Sequence, residues 1–582
     1  MISRTSIKNI DVEKTTNRMI IILAILALGS FLLSLFYIPL VRIFQFAFIS
    51  DVKFTFEIFI STLTDTINLK FLAFTFLQAF LSTVICLIIG VPVSYFFAKY
   101  EFKGKNIIVN LLTVPFVLPP IVVLLGFIVT YGQGGWINVL WRGITGSDNS
   151  LINIFGTFQG ILLAHVFYNL SVIIRMTIPA WKSIDMEQVE VSKTLGVKNW
   201  KILWKVIIPQ IKNYIISAAL LVFIYTFNSF AIVLYLGEVR YQTLEVRIFK
   251  LMKASLAFPE GASLAMLQLL LNTIIIILYL VFERKTRQMG VGREKGLQKS
   301  RLFFSKTDWK QNGIAIGSIV VLLIVGIFTF APILAVIIVS LKPYNSGVSP
   351  FFGYQQLLSS EYVPLLNNTA LRLLLNTLLF AVITTVITLI LSLLIVFVLR
   401  NRYQSLKEYK TSKVEGLISY MIILPMATSS ITLAMGIFLS FRNSNLYLNS
   451  VWFFIILTHV LISLPFTTRS ILAAYNRIDI ELLNVASTLG ASRFRIFRKI
   501  EFPLILRGIV VGAIFSFAIS LGEFGATNFL VRGEYGTLSI GISKLLLTHT
   551  LQLPATMASI LIIITVLCFI AIQKFGDIEL KV

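Results

Sequence analysis

Long apolar segments alternate with short polar ones along the whole chain. A membrane-spanning helix needs about 20 mainly apolar residues to cross roughly 30 Å of hydrocarbon. Transmembrane β-strands are shorter and alternate apolar with polar positions, so helices must satisfy the backbone hydrogen bonds inside the bilayer. The pattern predicts twelve spans, at residues 18–42, 71–98, 107–130, 156–180, 214–236, 261–283, 313–341, 373–399, 416–440, 451–475, 508–530 and 556–575.

Composition excludes a soluble protein. Of 582 residues, 57% are hydrophobic and 13% are charged, whereas a soluble domain needs about 25% charged residues. The apolar run that begins at Met19 is too long for a signal peptide and lacks a small-residue cleavage site, so we expect it to be kept as the first helix. The chain is therefore predicted to be an all-α integral membrane protein.

The net charge of +24 is distributed unevenly between the two sides of the membrane. If the N-terminus is cytoplasmic, 35 of the 50 Lys and Arg residues lie on the inner side and 13 lie in the outer loops. This bias is the positive-inside rule, and it predicts cytoplasmic N- and C-termini. A basic stretch beside a membrane pairs with anionic lipid headgroups, so we expect no nucleic-acid partner.

The chain contains an internal duplication. A constant offset of 294 residues pairs positions without a gap from about His165 to Leu244, and an offset of 310 pairs Gly126 with Gly436. The difference falls in the outer loop at 132–153, where insertions are tolerated. Pairs at the offset of 294 include His165 with His459, Arg175 with Arg469, Pro209 with Pro503, and Phe230 with Phe524.

The duplication predicts two six-helix halves. The first half covers residues 1–283, a basic cytoplasmic linker covers 284–312, and the second half covers 313–582. Each half begins in the cytoplasm, so the repeats are parallel and share a pathway at their interface.

A cytoplasmic loop after the fourth helix of each half follows one plan. The loops read IDMEQVEVSKTLGVKNWKILWKVIIP at 184–209 and IDIELLNVASTLGASRFRIFRKIEFP at 478–503. Glycine suits the left-handed position just past a helix end, and proline suits the start of the next helix. The pattern predicts a short helix that ends at Gly196 or Gly490, a sharp turn, and a second helix that begins near Pro209 or Pro503.

These loops resemble the EAA loop of ABC-importer permeases. The first copy matches as Glu190-Val191-Ser192 with Gly196, whereas the second has Asn484-Val485-Ala486 with Gly490 and lacks the leading glutamate. The resemblance implies the ABC type I importer permease fold and docking of both loops on a nucleotide-binding subunit. The residues expected to take part are Asp185, Glu187, Glu190, Gly196, Pro209, Asp479, Glu481, Asn484, Gly490 and Pro503.

ATP hydrolysis is expected in a separate subunit. No G-x-x-x-x-G-K-[ST] phosphate loop occurs in the sequence, so we expect no catalytic residues and no cofactor here. ATP and magnesium would bind a partner ATPase, in two copies because the two loops are so alike. The chain would pass a small solute to the cytoplasm by alternating access.

The sequence defines the class of transporter better than it defines the transported substrate. Fused permeases of this length are typical of the thiamine and ferric-iron importer group, in which an external binding protein delivers the substrate. The segments GILLAHVFYNL, YGQGGWINVL and NSFAIVLYLG resemble the thiamine branch, so thiamine is favoured over ferric iron, with sulfate, molybdate or another small solute left open. An ion-coupled secondary transporter with two six-helix halves is the alternative, although such carriers place several charged groups at mid-membrane.

Three polar residues near the outer ends of the fifth helices are candidates for the pathway or its gate: Asn228, Ser229 and Glu523. A buried carboxylate should face a wet cavity or a partner, so Glu523 either favours a cation in the pathway or caps a helix break. His165 and His459 occupy equivalent positions and are expected to bond between helices. No further metal ligands converge on them, and Cys86 and Cys568 lie in apolar spans, so we expect no metal site.

Overall fold

The computed structural model describes residues 19, 23, 25–50, 53–289, 300–301, 309–342, 349–405, 424–425, 427–546, 548 and 550–576. These ranges are almost entirely helical. The helices are α1 (Ile38–Phe48), α2 (Glu57–Thr64), α3 (Thr66–Lys99), α4 (Lys105–Leu111), α5 (Val114–Val117), α6 (Pro120–Tyr131), α7 (Trp136–Thr145), α8 (Phe158–Lys182), α9 (Met186–Thr194), α10 (Asn199–Ile202), α11 (Ile208–Phe227), α12 (Ala231–Leu236), α13 (Leu244–Lys253), α14 (Phe258–Met289), α15 (Trp309–Ser340), α16 (Phe352–Leu358), α17 (Ala370–Ser405), α18 (Ser430–Phe441), α19 (Asn445–Asn449), α20 (Val451–Tyr475), α21 (Ile480–Thr488), α22 (Arg493–Ile496), α23 (Phe502–Gly522), α24 (Gly525–Leu530), α25 (Leu538–Leu545) and α26 (Gln552–Gly576).

The remaining elements are short. They comprise π-helical segments at Leu33–Tyr37, Leu203–Ile207 and Phe497–Glu501, one 3-10 turn at Pro364–Leu366, and the two-residue strands β1 (Ile49–Ser50), β2 (Lys53–Phe54), β3 (Tyr100–Glu101), β4 (Ser300–Arg301), β5 (Tyr362–Val363) and β6 (Asn368–Thr369). Strand β3 pairs in parallel with β4, and β5 pairs antiparallel with β6.

The all-α membrane fold with roughly twelve spans is confirmed. Eleven helices in the described ranges are long and apolar enough to cross a membrane. Of the predicted span at 416–440, residues 416–423 lie outside the described residues, and its remainder includes the 12-residue helix α18.

The predicted single span at 107–130 is wrong in detail. The structure divides this stretch into α4, α5 and α6. Leu118, with ψ 142°, and Pro119, with ψ 135°, are extended between the last two helices. A residue before proline is pushed out of the helical region, and proline has no N–H to continue the helix, so consecutive prolines break the span.

The α-helices α11 and α23 begin one residue before Pro209 and Pro503, as the sequence predicts, but each continues directly from a π-helical segment, so the returning helix as a whole starts earlier. The returning helices form continuous spans over Asn199–Phe227 and Phe494–Gly522, and Pro209 and Pro503 lie inside them. A π-helical segment ends two residues before each proline. Its wider turn relieves the clash between a proline ring and the preceding carbonyl. The same arrangement precedes Pro39 in the first span.

The predicted spans at 214–236 and 508–530 are also corrected at both ends. They begin earlier than predicted, as the continuous spans show, and their helices stop at Phe227 and Gly522. A short break then leads to α12 and α24.

The chain forms two compact units. One contains residues 1–49, 360–540 and 563–582, and the other contains 50–359 and 541–562. The first span of each predicted half therefore belongs to the unit that holds most of the other half. The predicted boundaries at 283 and 313 describe the sequence repeat and remain a prediction.

Matched glycines allow close helix crossings in both units. A Cβ atom on Gly126 would lie 2.7 Å from the carbonyl oxygen of Pro332, and one on Gly436 would lie 3.0 Å from Cβ of Pro39. Small residues let membrane helices approach closely enough for backbone contact. Each crossing joins the first span of one half to the third helix of the other half.

We predict that Gly126→Ala lowers the free energy of unfolding by about 1–3 kcal/mol, because a backbone carbonyl must move to admit the methyl group. Gly436→Ala should cost less, because its nearest contacts are longer. The control is Gly326→Ala, where the added methyl meets open space and the helix gains up to about 1 kcal/mol. Thermal unfolding of the purified variants measures all three. Equal stability of Gly126→Ala and Gly326→Ala would contradict the packing argument.

Candidate functional site

The first duplicated loop is a short helix closed at both ends. Oδ1 of Asp185 accepts a hydrogen bond from the N–H of Glu187 at 3.1 Å, which caps the N-terminus of α9. Gly196 has φ +74°. The N–H groups of Val197 and Gly196 donate to the carbonyls of Ser192 and Lys193. This is the Schellman motif, which satisfies the last carbonyls of a helix.

The second loop repeats this geometry residue by residue. Asp479 caps α21 by accepting from the N–H of Glu481 at 2.9 Å. Gly490 has φ +79°, and the N–H groups of Ala491 and Gly490 donate to the carbonyls of Ala486 and Ser487. The helix and sharp turn predicted from the sequence are therefore present in both loops.

One face of each loop helix is buried and the other is exposed. In the first loop, Val189 packs into a cluster that includes Trp181 and Ile202. In the second loop, the apolar residues Leu483 and Ile496 are buried. The outward faces carry apolar residues at matched positions: Val191 and Val485, both 57% exposed, and Leu195 and Leu489, 76% and 82% exposed.

The two loops differ in polar chemistry. Glu190 and Asn484 are both exposed at equivalent positions, so the outward surface of the second loop lacks one carboxylate.

A second difference was not foreseen from the sequence. Gln210, beside Pro209, accepts from the N–H of Asp185 at 2.9 Å and donates to Gln188 at 3.2 Å. These bonds tie the returning helix to the start of α9. Leu504 and Leu482 replace the two glutamines in the second loop. Comparing the aligned loops could have shown the Gln-to-Leu exchange, although not the contact.

A buried histidine stands beside each break in the fifth helices. Nε2 of His165 lies 2.8 Å from Oγ of Ser229, and its Nδ1 lies 3.2 Å from Oγ of Ser82. Nδ1 of His459 lies 2.8 Å from Oγ of Ser520, and its Nε2 lies 2.8 Å from Oγ1 of Thr527. These are the interhelical hydrogen bonds that the sequence led us to expect.

Ser229 and Glu523 are equivalent positions with different chemistry. Oε2 of Glu523 lies 3.5 Å from Nε2 of His459. Its carboxylate accepts from the N–H groups of Ala526 and Thr527, both at 2.9 Å, and so caps the first turn of α24. The structure thus shows that Glu523 caps a helix break, with its side chain 7% exposed.

The segments after the breaks are held by matched threonines. Oγ1 of Thr75 accepts from the N–H of Leu244 at 2.9 Å, and Oγ1 of Thr377 accepts from the N–H of Leu538 at 2.8 Å. The first N–H groups of a helix have no partner within it. Each threonine, on the second spanning helix of its half, fixes the start of α13 or α25.

Asn228 is hydrogen-bonded to the last helix of the first half, α14. Its Oδ1 accepts from Nε2 of Gln268 at 2.9 Å and from Nδ2 of Asn272 at 2.8 Å. Neither α14 residue was singled out in the sequence. Over the described ranges, no group of three or more His, Cys, Asp or Glu side chains is placed to hold a metal ion.

Taken together, two similar helix bundles, a capped loop after the fourth span of each, and a broken fifth span define a duplicated membrane permease. Residues 90–288 and 405–577 match the family described as the binding-protein-dependent transport system inner membrane component. The chain belongs to this family. It is the membrane-spanning permease of an ABC importer, and its fold is the all-α type I importer permease fold.

Family membership also indicates the location of the protein and the kinds of partner subunit it works with. Proteins of this family are multi-pass inner-membrane transport subunits rather than enzymes, and they work with ATPase and binding-protein partners.

Curated relatives include fused and single-unit permeases. The chain is 26% identical over 524 residues to the thiamine transport system permease protein ThiP of Haemophilus influenzae, which covers 89% of this chain and 90% of that protein. It is 26% identical over 514 residues to ThiP of Escherichia coli, covering 87% and 89%. The sulfate transport system permease protein CysW of Synechocystis is 27% identical over 266 residues, covering 44% of this chain and 91% of CysW.

We predict that Glu523→Ala destabilises the protein by about 1–3 kcal/mol, because two buried N–H groups lose their acceptor. Glu523→Gln should cost less, because one acceptor oxygen remains. Ser229→Ala at the equivalent position is the control, with a loss of about 1 kcal/mol for a single hydrogen bond. Thermal unfolding in detergent measures the order, and wild-type stability of Glu523→Ala would contradict the capping role.

Proposed function

We propose that this permease imports thiamine. The observation that carries the proposal is coverage: relatives named as thiamine permeases match about nine-tenths of this chain and of their own length. The sulfate permease CysW of Synechocystis matches 44% of this chain, as expected for one unit of a duplicated permease. Ferric iron is the second candidate, supported by the resemblance of the fused architecture to that importer group.

Both duplicated loops are proposed to dock on ATPase subunits. In support, each presents a capped, rigid helix whose outward face bears exposed apolar residues at matched positions. Apolar side chains that point outward from a polar loop are typical of a protein interface. The matched helix caps and left-handed glycines of the two loops fit two copies of one ATPase, which would bind ATP and magnesium and carry out hydrolysis.

The proposed orientation places both termini and both loops in the cytoplasm. Its support is the excess of Lys and Arg on that side. An external binding protein would then deliver thiamine to the opposite face, where the broken fifth helices end.

The breaks themselves are proposed as parts of the outer gate. Asn228, Ser229 and Glu523 lie where a spanning helix stops and a short helix begins. A broken helix within a membrane protein commonly lines a transport pathway. On this proposal the carboxylate of Glu523 holds the first turn of α24. If α24 shifts when the gate opens, the carboxylate of Glu523 would move with it.

The two loops should contribute unequally to coupling. We predict that Gly196→Ala lowers ATP-driven uptake more than Gly490→Ala. Only the first loop has Glu190 and the hydrogen bond between Gln210 and Gln188. Alanine at either left-handed position is strained by about 1–2 kcal/mol. Gly196→Asn should restore part of the activity, since Asn tolerates this conformation.

The measurement is uptake and substrate-stimulated ATPase activity of the complex in proteoliposomes. Gly146→Ala is the matched control, because Gly146 has φ +65° in open space but lies outside both loops. Equal losses at Gly196 and Gly490, or an equal loss at Gly146, would count against unequal coupling.

The substrate is tested by uptake into proteoliposomes that contain the permease, its ATPase and its binding protein. We expect ATP-dependent accumulation of labelled thiamine that excess unlabelled thiamine suppresses and ferric citrate, sulfate and molybdate do not. Suppression by a different solute would reassign the substrate. Uptake that persists without ATP and collapses with an ionophore would instead support the secondary-transporter alternative.

A further inference from the structure

The outer helix α7 turns its apolar face away from the protein. Trp136, Val139, Leu140 and Ile144 recur at spacings of three or four residues, so they share one face of the helix, and all four are exposed. Leu140 is 64% exposed and Ile144 is 74% exposed. A helix on the surface of a water-soluble protein has the opposite arrangement, with its apolar stripe facing the core. Something other than water is therefore expected to cover this face.

The polar face of α7 is fixed to the protein by hydrogen bonds. Asn138 is fully buried. Its Nδ2 donates to the carbonyls of Gly132 at 2.7 Å and Ile152 at 2.8 Å, and its Oδ1 accepts from the N–H of Ile152 at 3.0 Å. Nη2 of Arg142 donates to the carbonyl of Gln133 at 2.9 Å. The apolar face cannot rotate inward unless these bonds break, and breaking them would leave buried polar groups without partners.

The position of α7 in the chain places it at the boundary of the membrane. It follows α6, the last helix of the third span, after four residues. The N–H of Gly135 donates to the carbonyl of Gly132 at 2.8 Å, so the connection is one tight turn and α7 begins level with the end of α6. Tryptophan is enriched at this depth because its ring is apolar and its N–H is polar. Helix α7 contains Trp136 and Trp141, two of the seven tryptophans in the chain.

We propose that α7 is an interfacial helix whose apolar face inserts among the acyl chains at the surface of the outer leaflet. Its partner is therefore phospholipid rather than a protein subunit. Interfacial helices carry Trp, Phe and Leu on the face that enters the bilayer. The exposed face of α7 has no charged side chain, and acyl chains require no hydrogen bonds from it. The choice of the outer leaflet rests on the orientation proposed above, whereas the contact with lipid does not.

The second half does not repeat this feature. Its counterpart, α19, has five residues, and the change of register between the two halves falls in this loop. Tyr447 in the middle of α19 is 1% exposed, and Leu446 and Leu448 are its exposed apolar residues. The two turns of exposed apolar surface on α7 would therefore anchor the first half alone.

The test measures what surrounds the exposed face of α7 in the full-length chain. Leu140→Cys and Ile144→Cys are made separately in a background that carries Cys86→Ala and Cys568→Ala, and each cysteine receives a nitroxide spin label. Because both native side chains are exposed, the labels displace no packing. The protein is placed in nanodiscs of phosphatidylcholine and phosphatidylglycerol in equal parts. Power-saturation EPR then compares collisions with oxygen, which concentrates in lipid, and with nickel ethylenediaminediacetate, which stays in water.

Two labelled positions serve as controls. Ile327→Cys lies on α15 within a span and is 66% exposed, so it reports lipid contact. Asp148→Cys lies in the exposed polar loop after α7, so it reports water. We expect the ratio of oxygen to nickel collisions at residues 140 and 144 to exceed the ratio at residue 148 several-fold and to approach the ratio at residue 327.

Each other outcome would overturn the proposal. A ratio at residues 140 and 144 equal to that at residue 148 would show that the face lies in water. Low collision rates with both reagents would show that protein covers the face. The readout needs neither substrate nor ATPase, so its result is independent of whether the permease imports thiamine.

Discussion

The need to satisfy backbone polar groups without water governs this structure. Helices achieve this within themselves, but the fifth span of each half breaks inside the protein, and each break exposes N–H groups. Side chains accept hydrogen bonds from these N–H groups. Thr75 and Thr377 accept from the N–H groups of Leu244 and Leu538, and Glu523 accepts from the first turn of α24. The buried polar residues around each break follow from this requirement, and the histidines brace the helices that hold them.

The two halves of the chain share backbone features but differ in the side chains at several equivalent positions. The two halves share the loop caps, the left-handed glycines, the π-helical segments before proline and the threonine contacts. They differ at three sets of equivalent positions. Ser229 corresponds to Glu523, and Glu190 corresponds to Asn484. The two glutamines of the first loop correspond to leucines in the second. Backbone geometry is thus common to both halves, whereas charge and amide chemistry are particular to one. Fusion into one chain permits this, because each copy can change without altering the other.

Features set by local sequence were predictable, and those set by distant contacts were not. The approximate number of spans, the duplication, and the turns at Gly196 and Gly490 follow from hydrophobic length, register and left-handed geometry, which are properties of short segments. The π-helical segment that extends the returning helix ahead of Pro209 was missed, because a π-helical turn has no clear composition signal. The hydrogen bonds of Gln210 to the start of α9 were missed, and so was the contact of Glu523 with His459. Hydrophobic periodicity does not specify which helices meet.

The crossing at Gly436 has a consequence for synthesis. Its partner, Pro39, lies in a span that is synthesised about 400 residues before this glycine, or some tens of seconds earlier at typical rates of elongation. During that interval Gly436 is not available to pack against the span that holds Pro39, whereas Gly126 and its partner Pro332 are only about 200 residues apart in the chain. The crossing at Gly126 can therefore form before the crossing at Gly436, and the fused chain keeps Pro39 and Gly436 in one molecule until both have been made.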